Sequence, residues 1–196
     1  MKIDKIFEHL YLVVMACTFA TVIGLMLGVI SYMFKPTRKV ILWVVDMLQT
    51  IPALALLGLI MIAFGATPAT VIIGLMLYSL LPIVRNTYVG LENIDPGIKE
   101  AAIGMGMTKI QRLIQVELPL AFPMVFTGIR IAVVTSIGTA VFGAIVGGGG
   151  LGSIINRAIL IQDMKTLMLT TIILMVMAVI FDFGMGYIEK KLKART

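Results

Sequence analysis

The sequence predicts an all-α membrane protein, and its composition and its apolar runs carry that prediction. Sixty per cent of the 196 residues are hydrophobic, 13% are charged, and the mean hydropathy is +1.07. A soluble domain of this length needs far more polar surface to cover its core. The apolar runs do not alternate between polar and apolar residues, so they favour membrane helices over the strands of a barrel. We expect a single domain, residues 1–196.

Five apolar segments are long enough to be candidates for crossing the hydrocarbon core, which is about 30 Å thick. They lie at residues 10–34, 40–64, 69–84, 118–146 and 167–187. The first segment is longer than the apolar core of a signal peptide, so we expect it to be retained. Gly65 and Pro68 predict a turn between the second and third segments. Two polar stretches remain, at residues 85–117 and 147–166.

The basic residues are divided unevenly between the two sides that five spans define. With the C-terminal tail in the cytoplasm, eleven Lys and Arg residues lie inside and four outside. The inside set is Lys35, Arg38, Lys39, Arg85, Lys99, Lys109, Arg112, Lys190, Lys191, Lys193 and Arg195, and the outside set is Lys2, Lys5, Arg157 and Lys165. Cytoplasmic loops carry an excess of Lys and Arg. We therefore expect the N-terminus outside and the C-terminus inside, and the net charge of +6 needs no nucleic-acid partner.

The polar stretch at 85–117 contains the signals of two short helices with a turn between them. Asp95 is a favourable N-cap, and Pro96 suits the first helical position. Gly104 and Gly106 allow the chain to turn. Two apolar stripes with helical spacing follow Asp95, formed by Ile98, Ala101, Ala102 and Met105 and by Met107, Ile110, Leu113 and Ile114. The residues alone leave two interpretations open, a helical hairpin that docks on a partner or an amphipathic helix on the lipid surface.

The junction with the next apolar segment carries a proline. We expect Pro119 to begin a new membrane helix, with Leu118 biased away from helical backbone angles.

The stretch "EAAIGMGMTKIQRLIQVELP", residues 100–119, resembles the EAA loop of ABC importer permeases. That motif reads Glu-Ala-Ala, three residues, Gly, nine residues, Ile, one residue, Leu-Pro. The sequence matches it at six positions with the same spacing and departs from it only at Val116, which stands in place of Ile.

The resemblance implies a type I ABC importer transmembrane domain whose cytoplasmic hairpin contains the coupling helix. On that basis the residues that contact an ATP-binding subunit are Glu100, Ala101, Ala102, Gly104, Gly106 and Met107. It also implies a permease homodimer or heterodimer, two ATP-binding subunits and an external substrate-binding protein, in a bacterial or archaeal cell membrane. No G-x-x-x-x-G-K-[ST] motif occurs in the sequence. We therefore expect ATP and Mg²⁺ to be bound by the partner ATPase, no cofactor to be bound by this chain, and no enzymatic activity in it.

Two further stretches resemble one branch of these permeases, the importers of osmoprotectants. They are "LQTIPALALLGL" at 48–59 and "LYSLLPIVRNTYVGLENIDP" at 77–96, and "GAIVGGGGLGSII" at 143–155 fits the same group. The implied cargo is glycine betaine, carnitine, choline or proline, with another small zwitterion such as ergothioneine as the alternative. From other classes, an ion-gradient-driven transporter, a channel and a membrane scaffold remain as alternatives.

Three charged residues lie inside the apolar segments, where an unpaired charge is costly. We predict that Arg130 pairs with Asp46 or Asp182. The pair is interpreted as a brace between helices or as part of a gate.

Several weaker signals complete the prediction. Ser136 and Thr139 are candidates for the substrate pathway, with helix-to-helix hydrogen bonding as the alternative. The G-x-G-x-x-G pattern at 147–152 lacks a βαβ context, so we interpret it as a flexible outer turn and not as a dinucleotide site. Gly24 and Gly28 fit the small-xxx-small pattern of close helix contacts. The lone His9 has no partners at metal-ligand spacing, so no metal site is expected.

Overall fold

The computed structural model describes residues 3–194, and these residues form helices joined by short turns. The α-helices are α1 (Asp4–Met33), α2 (Lys35–Thr50), α3 (Ala53–Phe64), α4 (Pro68–Glu92), α5 (Pro96–Gly104), α6 (Lys109–Arg112), α7 (Leu118–Thr139), α8 (Gly150–Leu160) and α9 (Met164–Lys193). A π-helical turn, Leu113–Glu117, joins α6 to α7, and a 3-10 helix, Ala140–Val146, follows α7. Within residues 3–194 no strand occurs, and the all-α prediction is confirmed. Lys2 and Arg195, which entered the charge count, lie outside the described residues.

Four helices in the described part of the chain are long and apolar enough to cross a membrane. They are α1, α4, the continuous helix Lys109–Val146 and α9. Helices α2 and α3 pass the same test only as a pair, and their axes are bent by 100°. The predicted span at 40–64 is therefore divided into two helices, and the described residues give five spans if the bent pair counts as one.

The bend between α2 and α3 has a local cause at Ile51 and Pro52. Both residues have extended ψ angles, 127° and 134°. Proline disfavours helical geometry in the residue before it and has no N–H to donate to the preceding turn. Helix α2 therefore ends at Thr50, and α3 begins in a new direction.

The side chains of Gln49 and Tyr78 hold the bend against α4. The phenol of Tyr78 donates a hydrogen bond to the carbonyl of Ile51, the residue after α2. Pro82 inside α4 cannot donate to the carbonyl of Tyr78, and the amide of Gln49 donates to that carbonyl at 3.1 Å instead. The carbonyls of Ile51 and Tyr78 thus each have a partner, as a nonpolar environment requires.

The core of the bundle forms where α4 packs between α1 and α7. Leu12, Val13, Leu75 and Ile137 are at most 1% exposed and belong to one continuous cluster. Glycines on α1 bring the helices close together: a Cβ on Gly28 would stand 2.5 Å from the Cβ of Thr87. The small-xxx-small signal therefore marks the contact between α1 and α4.

The start of α7 differs from the expectation at Pro119. Leu118 has helical angles, φ −63° and ψ −45°, and its N–H bonds to the carbonyl of Leu113 in the wide pattern of a π-turn. Because the π-turn shifts the register of the hydrogen bonds before Pro119, the missing N–H is accommodated without a break. The chain is therefore helical from Lys109 to Val146.

The glycine-rich turn after the 3-10 helix is closely packed. Gly147, Gly149 and Gly150 have positive φ angles of 81°, 74° and 65°. A Cβ on Gly149 would overlap the carboxylate of Glu8, and one on Gly150 would stand 3.1 Å from His9 Nδ1. The expected flexible outer turn is therefore replaced by a turn whose glycines permit close packing on α1.

Candidate functional site

Helices α5 and α6 form a hairpin at the end of the bundle where α4 ends. The carboxylate of Asp95 accepts a hydrogen bond from the N–H of Gly97 at 2.6 Å and caps α5, with Pro96 at the first helical position. Thr108 and Gln111 form a capping box at the start of α6. Between the helices, Gly106 has a φ of +81°, which favours glycine. These local signals explain why a two-helix hairpin forms at this point.

The turn of the hairpin presents an apolar surface to its surroundings. Ile103, Met105 and Ile110 are 55%, 69% and 63% exposed. Ile103 and Met105 lie outside the membrane-length helices, and Ile110 lies in the first turn of one. Such a group of uncovered apolar side chains indicates a surface that contacts another molecule.

The residues assigned to ATPase coupling divide by exposure. Glu100, Ala101, Gly104 and Gly106 are exposed and Met107 is half-buried, so these five lie at or near the surface of the hairpin. Ala102 is only 1% exposed. Its side chain is covered by the chain itself, and its assignment as a direct contact stays a prediction.

Polar contacts anchor the base of the hairpin to α1 and α4. Lys99 Nζ donates to the carbonyls of Leu91 and Glu92 at 3.0 and 3.3 Å, which places a cation at the negative end of α4. The carboxylate of Glu117, 1% exposed, accepts hydrogen bonds from Arg112 Nε at 2.7 Å and from the Tyr32 phenol at 3.1 Å. The hairpin is thereby fixed to the bundle. Sequence reasoning missed Tyr32 and Glu117, since 85 residues separate them and neither lies in a recognisable pattern.

A second polar cluster joins α7 to α9 around Arg130. Its guanidinium donates to Asp182 at 2.8 Å and to Glu189 at 2.9 Å. Glu189 also accepts from Thr127 at 2.8 Å and from Lys193 at 2.6 Å. The pairing of Arg130 with Asp182 lies within the predicted set, whereas Glu189 was not identified. Glu189 lies two turns after Asp182 on the same face of α9, and this spacing is the sequence signal that could have identified it.

Asp46 does not take part in the Arg130 cluster. It accepts hydrogen bonds from Arg85 of α4 at 2.9 and 3.1 Å. Of the two predicted alternatives, Arg130 pairs with Asp182 and not with Asp46, because α2 packs on α4. The side chains of Asp46 and Arg85 are 42% and 56% exposed, so this ion pair lies on the surface of the chain.

The candidate pathway residues Ser136 and Thr139 lie in different surroundings. Ser136 is 3% exposed and its hydroxyl lies 2.9 Å from that of Ser79 on α4. This is the helix-to-helix hydrogen bond given as the alternative, and the pathway role of Ser136 stays a prediction. Thr139 is half-buried, and its hydroxyl bonds to the carbonyl of Thr135 in its own helix.

The arrangement has no feature of a metal or catalytic centre in the part of the chain that is described. Residues 3–194 contain no group of three His, Cys, Asp or Glu side chains able to hold a metal ion. The polar clusters join helices or anchor the hairpin. Membrane-length helices with an anchored, exposed hairpin at one end define the class: a helical membrane protein with a structured contact surface at that end.

Solved structures with the same fold support this class. The inward-facing MetNI methionine ABC transporter matches with a TM-score of 0.89 and 25% sequence identity, over 97% of this chain and 95% of that chain. An amino acid ABC transporter matches in fold with a TM-score of 0.75 and 21% identity, over 96% of this chain and 92% of that chain. The fold is that of the type I ABC importer permeases, as predicted.

The sequence comparisons show the family. Residues 20–194 match the binding-protein-dependent transport system inner membrane component. The glycine betaine/carnitine/choline transport system permease protein OpuCD of Bacillus subtilis (strain 168) is 40% identical over 97% of this chain and 83% of its own length. The osmoprotectant import permease protein OsmW of Salmonella typhimurium is also 40% identical, over 90% of this chain and 85% of its own length.

The chain belongs to the family of binding-protein-dependent transport system inner membrane components. It is a multi-pass membrane protein, a permease subunit of an ABC importer. Family membership favours this function over the alternatives of an ion-gradient transporter, a channel or a scaffold.

Proposed function

We propose that this permease carries a small zwitterionic or quaternary-ammonium osmoprotectant, such as glycine betaine, carnitine, choline or proline. Support comes from the relatives. The permeases at 38–40% identity are named for glycine betaine, carnitine and choline or for osmoprotectants in general. Another small zwitterion, such as ergothioneine, remains the alternative cargo.

We further propose the assembly in which the chain acts. Two permeases, identical or different, combine with two ATP-binding subunits and an external substrate-binding protein in the cytoplasmic membrane of a bacterium or archaeon. The ATP-binding subunits hold ATP and Mg²⁺ and catalyse hydrolysis, while this chain binds no cofactor. The hairpin and the C-terminus face the cytoplasm.

One observation carries the proposed coupling mechanism: the hairpin has an uncovered apolar turn on a fixed base. Ile103 and Met105 are available to a partner, whereas Lys99 and Glu117 hold the base to α4 and α1. A displacement of the turn is therefore transmitted to the membrane helices and is not lost in a loose loop. In this mechanism, closure of the ATP-binding subunits moves the hairpin and opens the pathway between the two permeases to the outside.

The test is ATP-driven uptake by the complete importer in proteoliposomes. Glu100→Ala weakens the contact with the ATP-binding subunit, and Gly106→Pro forces the turn out of its φ of +81°. Both variants are expected to lose most of the uptake while still folding. Asp4→Ala is the matched control, because Asp4 is an exposed carboxylate outside the hairpin. Full uptake by both hairpin variants would contradict the coupling mechanism, and uptake driven by an ion gradient without ATP would contradict the proposed class.

The cargo is tested separately on the cognate binding protein. Titration with glycine betaine, carnitine, choline, proline and ergothioneine is expected to give tight binding for a member of the first four. Tight binding of ergothioneine alone would replace the proposed cargo with the alternative.

A further inference from the structure

A cleft with a marked excess of positive charge lies between the hairpin and the ends of α1 and α4. Its volume is about 370 Å³, within the range of small-ligand pockets. Five cationic side chains line it, Lys35, Arg38, Lys99, Lys109 and Arg112. Only two carboxylates, Glu92 and Glu117, lie among them. The cleft therefore attracts anions.

The contacts show which of these cations are already engaged. Arg112 pairs with Glu117 at 2.7 Å, Arg38 lies 3.6 Å from Glu92, and Lys99 donates to carbonyls at the end of α4. These pairs account for both carboxylates.

Lys35 and Lys109 are the cations left over. In the part of the chain that is described, neither makes an ion pair or a side-chain hydrogen bond. They belong to different segments, the start of α2 and the start of α6, yet both line the same cleft. Of the three positive charges in excess, that of Lys99 faces the carbonyls at the end of α4, and the other two are ammonium groups without a partner.

We propose that this cleft binds a phosphate group, held between the ammonium groups of Lys35 and Lys109. Such a group is supplied either by the headgroup of an anionic phospholipid or by soluble phosphate. The cleft lies where the membrane-length helix α1 ends, and basic pockets at such positions bind anionic headgroups. Arg112 and Arg38 add donors with planar geometry that suits phosphate oxygens.

The site is independent of the cargo and of the coupling contact. The apolar turn that carries the proposed coupling does not line the cleft. Occupation of the cleft stabilises the junction of α2, α4 and the hairpin, since the phosphate neutralises cations from separate elements.

The experiment is a binding titration of the full chain in neutral detergent, followed by native mass spectrometry. One arm uses phosphatidylglycerol, a second uses phosphatidylcholine at the same concentrations, and a third uses inorganic phosphate. Lys35→Ala/Lys109→Ala is expected to weaken phosphatidylglycerol or phosphate binding roughly 25-fold, because each basic residue near an anionic surface contributes about fivefold. Lys39→Ala/Lys191→Ala is the matched control: it removes two cations that do not line the cleft.

If Lys35→Ala/Lys109→Ala loses phosphatidylglycerol binding and the control variant keeps it, the phosphate group comes from a lipid. If the same difference is found with inorganic phosphate, the phosphate group comes from soluble phosphate. Equal losses in both double variants, or equal binding of phosphatidylcholine, would overturn the proposal.

The titration is repeated on the importer assembled with its ATP-binding subunits. If they displace the anion, the cleft is a contact for acidic protein side chains and the proposal is wrong. Since no arm measures transport, failure of the cargo or coupling proposals leaves this test unaffected.

Discussion

Gly106 shows at the scale of one residue how the hairpin depends on backbone geometry. Its φ of +81° lies in the left-handed region, and a Cβ at this position would meet no atom within 4 Å. Gly106→Ala is therefore expected to destabilise the hairpin by about 1 kcal/mol through backbone strain alone. Gly104→Ala is the control, because its added Cβ also meets open space but its φ is not positive. Thermal unfolding of both variants measures the difference, and equal melting temperatures would contradict this account.

Arg130 is the residue on which the contact between α7 and α9 depends most. Its guanidinium reaches two carboxylates, Asp182 and the buried Glu189. Arg130→Ala is expected to cost about 3 kcal/mol, because a buried carboxylate that loses a partner keeps its desolvation penalty. Arg157→Ala is the control, since Arg157 is exposed and changes there usually cost little.

The measurement is chemical or thermal unfolding in detergent. A second variant, in which a positive charge is kept at residue 130, is the further check. Arg130→Lys keeps the charge but replaces a fork that reaches two carboxylates with a single point charge, so it is expected to recover only part of the loss. If Arg130→Ala unfolds at the same midpoint as the control Arg157→Ala, the cluster does not brace α9.

At the scale of the helices, the contact between α1 and α4 depends on glycines. A Cβ on Gly28 would stand 2.5 Å from Thr87 Cβ and 3.1 Å from the Val84 carbonyl, so part of the obstacle is backbone. Gly28→Ala is therefore expected to destabilise the bundle by about 1–3 kcal/mol, as overpacking does in other cores. Gly58→Ala on α3 is the control, because nothing lies within 4 Å of its added Cβ and alanine favours the helix. Equal unfolding midpoints for the two variants would contradict close packing as the role of Gly28.

The elements also show which parts of the fold were predictable. Apolar runs predicted the membrane-length helices, and Asp95, Pro96 and Gly106 predicted the hairpin, because caps and turns are encoded locally. The bend at Ile51 was missed although Pro52 lies beside it, since hydropathy alone does not register a local break within an apolar run.

Contacts between distant residues were the least predictable part of the site. The preference of Asp46 for Arg85, and of Glu117 for Tyr32, depends on which helices are neighbours. A single sequence shows that an intramembrane charge needs a partner but not which helix supplies it. The same limit explains why Ser136 was considered for a pathway, since its position against Ser79 becomes visible only in the packed bundle.

At the scale of the whole molecule, the basic residues collect at the end that carries the hairpin. Tyr32 lies beside Lys99 and Glu117 at this end, and Glu8 lies beside Gly149 at the other. In the described residues, and leaving aside Arg85 and Arg130 within α4 and α7, the hairpin end holds nine Lys and Arg residues, Lys35, Arg38, Lys39, Lys99, Lys109, Arg112, Lys190, Lys191 and Lys193. The opposite end holds three, Lys5, Arg157 and Lys165. This asymmetry predicts that the hairpin end faces the cytoplasm.

Cysteine labelling in intact cells tests that orientation in a background where the single, buried Cys17 is replaced by alanine. Arg157→Cys is expected to react with a membrane-impermeant maleimide added outside, whereas Lys39→Cys is expected to react only after permeabilisation, because excess basic residues are retained on the cytoplasmic side. Val125→Cys, at a position 1% exposed, is the control that stays unreacted until the protein is denatured. Labelling of Lys39→Cys from outside would reverse the orientation and place the hairpin out of reach of any ATP-binding subunit, so the proposed coupling would fail with it.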